Sequence, residues 1–349
     1  MVTINQKDHM IELRNDCLKI AFPEIHPDAV ARIEFKRTLR IPDDGSTYPL
    51  PPGFRNFQLR HIEDYADKVP THCLEKGGVM MPMYQSEALW LNFDGDYPMA
   101  VKIGTGKINA ISGESWCKGL RRQEDKPRTW QNPDYAQDQD YLVIPEQPWL
   151  DGYCVERGVI RQFVAQPVGQ GYTVEEQLKG TQDGGIQIEV FPLKAARWET
   201  ILKKRAMRQK EAGPPPTLYC YASPKMGLAA GGRMKQEIYR DPYRAEDWDL
   251  SHSSRCWVHL INATTWESIT GYPPPHEPAS AKSYAQAGLP WFDYYSETPG
   301  ISGSKKFDGA KTISEFPLDD ENPFEPGFVN TIHKKQPWDD EELDEEPPF

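Results

Sequence analysis

Short runs of alternating apolar and polar residues, punctuated by glycine, proline and aspartate, fill the chain from residue 17 to about 195. That is the pattern of antiparallel strands with one face buried. The clearest stretch is Ala88 to Ile111: Leu89, Leu91 and Phe93 fall on one side of a strand, Trp90 and Asn92 on the other, and Asp94-Gly95-Asp96 supplies a turn. Tyr97–Ile103 and Lys107–Ile111, joined at Thr105-Gly106, complete a predicted three-strand meander. Further strands are predicted at Cys17–Phe22, Ala31–Ile41, Tyr141–Ile144, Val159–Val168, Ile186–Pro192 and Cys256–Ile261. Thr173-Val-Glu-Glu176 is a capping-box pattern and predicts a short helix over 174–180. Trp198–Lys210 lacks glycine and proline and predicts the longest helix; Trp198, Ile201 and Leu202 form its apolar stripe, but Arg205 shares that face, so only its start should pack. A two-turn helix is expected at Ala279–Ala287.

These elements define a mainly β or α+β fold: an antiparallel sheet or sandwich, a few short helices, and a proline-rich extended C-terminal arm. One domain is expected over residues 1–298, strand-rich at 17–195 and mixed at 196–298, because no flexible polar linker divides it. Residues 299–349 read as an arm ending in an acidic tail. Proline, at 32 of 349 residues, interrupts helix and inner strand often, which excludes a helical bundle or a coiled coil. No apolar run approaches the roughly 20 residues of a membrane-spanning helix. The first residues show no secretory signal, so a cytoplasmic location is the default expectation. Six cysteines, with no CxxC, are read as reduced and mostly buried.

Net charge is −12, yet seven acids lie in the last dozen residues, Trp338–Phe349, and without them the charge is −5. The tail is read as a solvated terminus or an acidic docking segment. Overall acidity opposes nucleic-acid binding, since a backbone binder presents net positive charge.

Candidate chemistry is sparse. Cys256 and His259 lie three apart in a predicted strand and so point to opposite faces, which disqualifies them as a dyad; His72-Cys73 fails likewise if extended. No metal-ligand spacing is present, Asp94-Gly-Asp96 reads as turn chemistry, and neither metal nor cofactor is expected. Met226-Gly-Leu-Ala-Ala-Gly-Gly-Arg-Met234 departs from nucleotide-binding fingerprints; it reads first as a close-packed turn, and otherwise as an anion-binding nest with Arg233 at hand. The densest feature is the stretch from Trp116 to Tyr153. Lys118, Arg121, Arg122, Lys126 and Arg128 lie between Trp116 and Trp130, with Tyr135, Tyr141, Trp149 and Tyr153 beyond. Indoles and guanidinium groups can stack on sugars or hold anions, and equally can anchor a long loop to a sheet.

The strings Met83-YQSEALWLNF, Gly158-VIRQFVAQPVGQGYTVEEQL, Gly184-GIQIEVFPLK, Met226-GLAAGGRMKQEIY and Ile269-TGYPPP followed by AGLPWFDYY resemble a family of uncharacterised bacterial and fungal proteins. Some fungal members carry the label "integral membrane protein". The resemblance spans residues 75 to 310, implies that they form one cooperative unit, and carries over no activity and no site residue.

The residues thus suggest a soluble ligand-binding or assembly protein, with a small-molecule or protein partner, contacting it through Trp116, Arg121, Arg122, Trp130, Trp149 and Arg233. A hydrolase or transferase for an anionic or carbohydrate-like substrate is the second reading, with Arg121, Arg122 and Arg233 as clamps and Glu146 or Glu156 as the acid/base. A homo-oligomer joined through the C-terminal arm is the third.

Overall fold

Where every second residue is apolar, one strand face is driven from water, and two such sheets bury their faces together. The computed structural model describes residues 11–122, 139–208, 227–277, 291–296, 300–316 and 329–334. Among the described residues strand outweighs helix, and the body holds two mixed sheets and four short α-helices.

The first sheet runs in the order Ile11–Arg14, Cys17–Ala21, Val30–Thr38, Ala88–Asp94, Val159–Gln166, Gly227–Lys235, Thr47–Tyr48; Gly53–Asn56, Trp149–Leu150 and Gly152–Glu156 pair beside this path. The second runs Ile108–Asn109, Met99–Thr105, Ile186–Pro192, Ser254–Asn262, Val79–Met83, Arg60–His61, with Leu142–Ile144 alongside 99–105. Pairing is antiparallel except between 227–235 and 47–48 and between 254–262 and 79–83. Trp291–Ser296 and Val329–Lys334 form a separate parallel pair. Ile33, Phe35, Leu89 and Leu91 from the first sheet share one core with Val101, Ile103, Ile188 and Val258 from the second. Ile301 and Phe307 join that core, so the chain just beyond residue 299 is packed on the body.

The helices follow their local signals. Val174–Lys179 carries both halves of its capping box, with Thr173 accepting from the Glu176 amide and the Glu176 carboxylate from the Thr173 amide. The longest helix, Ala195–Arg208, begins three residues before Trp198, and Trp198 and Ile201 are buried while Leu202 is half-buried. The helix expected at 279–287 lies outside the described residues.

Three local expectations are corrected. The meander does not form: Ala88–Asp94 belongs to the first sheet and Met99–Thr105 to the second, so the Asp94-Gly95-Asp96 turn carries the chain between sheets. The physical reason lies in Met99–Thr105, which is buried at every residue and therefore needs cover on both faces. The glycine-rich 226–235 segment is neither turn nor nest but the strand Gly227–Lys235. Its glycines serve close approach: a Cβ on Gly232 would stand 2.1 Å from the Pro42 carbonyl oxygen, and one on Gly231 would stand 2.6 Å from Val164 Cγ2. His72 and Cys73 lie in the helix Thr71–Lys76, with His72 Nε2 3.4 Å from Cys73 Sγ. Cys256 and His259 do point apart, Cys256 into the core and His259 Nε2 to within 2.9 Å of the Gly77 carbonyl.

Candidate functional site on the outward face of the second sheet

Register places two rows of polar side chains across the second sheet. Lys102 pairs with Glu189 and Glu189 with Arg255; one pleat along, Gly104 pairs with Gln187 and Gln187 with Trp257. The alternate residues Val101, Ile103, Ile186, Ile188, Cys256 and Val258 are in the core, so these rows lie on the face turned away from it. Three strands each place their polar residues in step, and a face of uncommon chemistry results.

The segment from Trp116 to Gly119 lies over that face. Trp116 packs against the sheet at Gly104, where a Cβ would come within 2.6 Å of indole Cε3, so the missing side chain is what admits the ring. Lys102, fully buried, holds the segment down. Its Nζ donates to the carbonyls of Cys117 at 2.9 Å and Gly119 at 2.7 Å and pairs with Asp140 Oδ2 at 2.7 Å. An ammonium has three donors, and all three are accepted. The Cys117 sulfur lies 3.2 Å from the same nitrogen. Asp140 in turn accepts from the Arg121 amide at 2.8 Å. Both cations flank the indole, with Lys102 Nζ 5.3 Å and the Arg255 guanidinium 5.4 Å from its ring.

Glu189 stands out in this arrangement. It lies between Lys102 and Arg255 in register, yet Lys102 turns to Asp140 and Arg255 hydrogen-bonds Gln187 Oε1. Glu189 is 8% exposed, and its Oε2 is buried with no hydrogen-bond partner among the described residues. Burial raises its pKa above the ordinary carboxylate value, against the pull of Arg255 and Lys102. The site therefore presents a buried acceptor whose pKa burial raises, an exposed guanidinium and a half-buried indole.

The residues singled out from the sequence disperse. Trp116 belongs to this site. Arg121 takes part through its backbone amide, while its side chain is exposed. Arg122 turns to Asp241 at 3.3 Å, a carboxylate that also accepts from Tyr141 Oη at 2.6 Å and Trp248 Nε1 at 2.8 Å. Trp149 is on the first sheet, in edge contact with Trp90 at 5.9 Å, and Arg233 is on the first sheet too, paired with Glu156 at 2.8 Å. Trp130 lies outside the described residues. Of the two proposed acids, Glu146 is buried and accepts from Tyr243 Oη at 3.3 Å. Glu156 is exposed, and its hydrogen bond from Arg233 holds its pKa below the ordinary range, the reverse of what a proton donor needs.

Sequence reasoning missed Lys102, Glu189 and Arg255. The available signal was a charge inside an otherwise apolar strand, Ala100-Val-Lys-Ile103 and Ile186-Gln-Ile-Glu-Val190. No helix among the described residues is long and apolar enough to cross a membrane. Comparison of the chain with protein-family models, curated proteins and solved structures finds no match.

Proposed function

We propose that the chain is a ligand-binding protein whose site is the outward face of the second sheet beside Trp116, and that its ligand is a hydroxyl-bearing anion of the sugar-phosphate or hydroxy-acid class. The observation carrying this reading is Glu189 Oε2, without a hydrogen-bond partner among the described residues, between two cations that bond elsewhere. A buried acceptor left without a donor costs about 1–3 kcal/mol, and a ligand hydroxyl would remove that cost. Exposed Arg255 and Lys118 supply positive charge for the anionic group, and the amide of Gln187 lies in the next row. Lys102 and Asp140 hold the overlying segment in place.

Glucose 6-phosphate is the probe for this reading, with glucose and inorganic phosphate as its two halves, each followed by thermal shift and calorimetric titration of the full chain. The phosphorylated sugar should raise Tm and bind more tightly than either half, and Glu189→Leu should abolish the difference while remaining folded. Equal responses of the wild type and Glu189→Leu, or no response to any probe, would overturn the reading.

The raised pKa of Glu189 favours one variant of this function, in which the protonated carboxyl donates to a leaving oxygen and the site is that of a hydrolase or transferase. Turnover of 4-nitrophenyl phosphate or glycosides that vanishes in Glu189→Gln would support that variant.

A further inference from the structure

The outward face of the first sheet carries a second polar constellation. Lys36 pairs in register with Trp90 on one side and Asn56 on the other, while Glu34 pairs with Asn92. Ile33, Phe35, Leu89 and Leu91 take the core side, so Glu34, Lys36, Asn56, Trp90 and Asn92 share the opposite face.

Lys36 is 2% exposed, and among the described residues its Nζ has one acceptor, Glu34 Oε2, at 2.9 Å. Glu34 is better supplied, with Asn92 Nδ2 donating to it at 3.0 Å and Asn56 Nδ2 at 3.1 Å. On either side of the amine stand two buried polar atoms without hydrogen-bond partners among the described residues: Asn56 Oδ1, an acceptor, and Trp90 Nε1, a donor. Asn56 itself is 6% exposed. Gly53 makes room for the indole, since a Cβ there would lie 2.7 Å from Trp90 Cζ2 and 3.0 Å from Nε1. One short row thus holds an amine with donors to give, an acceptor lacking a donor, a donor lacking an acceptor, and a carboxylate fixed against the amine.

We propose that the row Asn56, Lys36 and Trp90 is a binding site for a small hydroxyl-bearing aldehyde or ketone, held as an imine on Lys36. The ligand hydroxyl donates to Asn56 Oδ1, and a second ligand oxygen accepts from Trp90 Nε1. The ammonium first gives a proton to Glu34. The free amine then attacks the carbonyl carbon, forming the C–N bond as the C=O π pair moves to oxygen, which takes a second proton from nitrogen. Glu34 returns its proton to the resulting hydroxyl, and the C–O bond breaks as water leaves. Two hydrogens from nitrogen and the carbonyl oxygen leave as that water, with no change in oxidation state. Burial lowers the pKa of Lys36 despite its pairing with Glu34, which favours the free amine that the first step needs. Against its own desolvation, Glu34 is held low by hydrogen bonds from Lys36, Asn56 and Asn92, so its carboxyl carries the transferred proton only in passing and returns it readily.

The test is reductive trapping on the full wild-type chain with glycolaldehyde and cyanoborohydride near neutral pH, read by peptide mapping. Glycolaldehyde is the smallest carbonyl compound that also offers a hydroxyl donor. Lys36 is expected to carry hydroxyethyl label ahead of the surface lysines, and to lose that priority when the chain is unfolded in urea. Glu34→Gln should slow labelling of Lys36 by at least about tenfold, as loss of a positioned acid/base does, and Gly53→Leu, which displaces the indole, should reduce it as well. Label on surface lysines with Lys36 unmodified would overturn the proposal, as would labelling of Lys36 at the same rate in Glu34→Gln.

Discussion

Two lysines lie almost wholly out of water on the outward faces of the two sheets, and their surroundings could hardly differ more. Lys102 gives its three protons to one carboxylate and two carbonyls. Among the described residues Lys36 has one carboxylate, and Asn56 Oδ1 and Trp90 Nε1 beside it have no hydrogen-bond partner. A buried ammonium whose donors are all accepted is a structural pin, because every bond it makes fixes something else: here the segment that carries Trp116. An ammonium with a single acceptor among the described residues is what the proposed imine site on Lys36 requires. Glu189, on the same face as Lys102, is the carboxylate counterpart of Lys36, buried and with an Oε2 that has no partner among the described residues. The lesson is that burial of charge alone does not mark a site; burial with incomplete bonding does.

The sharpest way to break this contrast is to remove each amine. Lys102→Met strands Asp140 and frees the Cys117 and Gly119 carbonyls, and should cost about 3–5 kcal/mol, the range for breaking a buried pair from one side. Lys36→Met leaves Glu34 with Asn56 and Asn92, so its cost should be smaller, about 1.5–3 kcal/mol, the range for one hydrogen bond to a charged group. Urea unfolding of both variants decides the matter, and equal losses would erase the distinction. Gly104→Val comes next. It drives a side chain into the Trp116 ring and should cost about 1–3 kcal/mol, the range for overpacking. A red shift of tryptophan emission on that substitution would show the indole released from the sheet, whereas Gly309→Ala, with open space around it and no positive φ, should leave emission unchanged.

Much of the framework was legible because it is local. The alternation at Ile186–Pro192 and around Cys256–Ile261 marks its strands, and the capping box at Thr173 marks the start of its helix, since each depends on near neighbours alone. What decides the site is long-range. Trp116 and Trp149 look equivalent in sequence, two indoles in one aromatic stretch, but one lies on Gly104 in the second sheet and the other against Trp90 in the first. Lys102 and Glu189 look like ordinary outward residues of strands until Lys102 proves to be bound by the carbonyls of Cys117 and Gly119 and Glu189 proves to be buried. The glycines at 231 and 232 suggested a turn because their use, approach to Val164 and Pro42, involves residues far away in the chain.

Smaller effects follow from pH. The raised pKa of Glu189 means that the folded chain holds this proton more tightly than the unfolded chain does. Its contribution to stability therefore falls as pH rises from about 4.5 through the folded-state value. Glu189→Gln should be more stable than the wild type at neutral pH and indistinguishable from it in acid, as measured by urea midpoints across the range. Asp151 obeys the same sign. Fully buried against Gln236, its carboxyl is pushed up to about 7 by desolvation. Stability attributable to it should fall between about pH 4 and 7, and Asp151→Asn should flatten that slope. Smallest of all, Arg255→Gln should change stability by no more than about 0.5 kcal/mol, as expected for an exposed side chain, while weakening binding of glucose 6-phosphate.

Carbon-detected NMR titration of the Glu189 carboxyl, in the free chain and in the chain saturated with glucose 6-phosphate, bears most directly on the idea that an unfinished buried bond marks the ligand face. The free carboxyl should titrate above the ordinary glutamate value, and the bound one lower, because a ligand hydroxyl donating to it stabilises the charged form. An ordinary midpoint in the free chain that does not move with the probe would contradict the account.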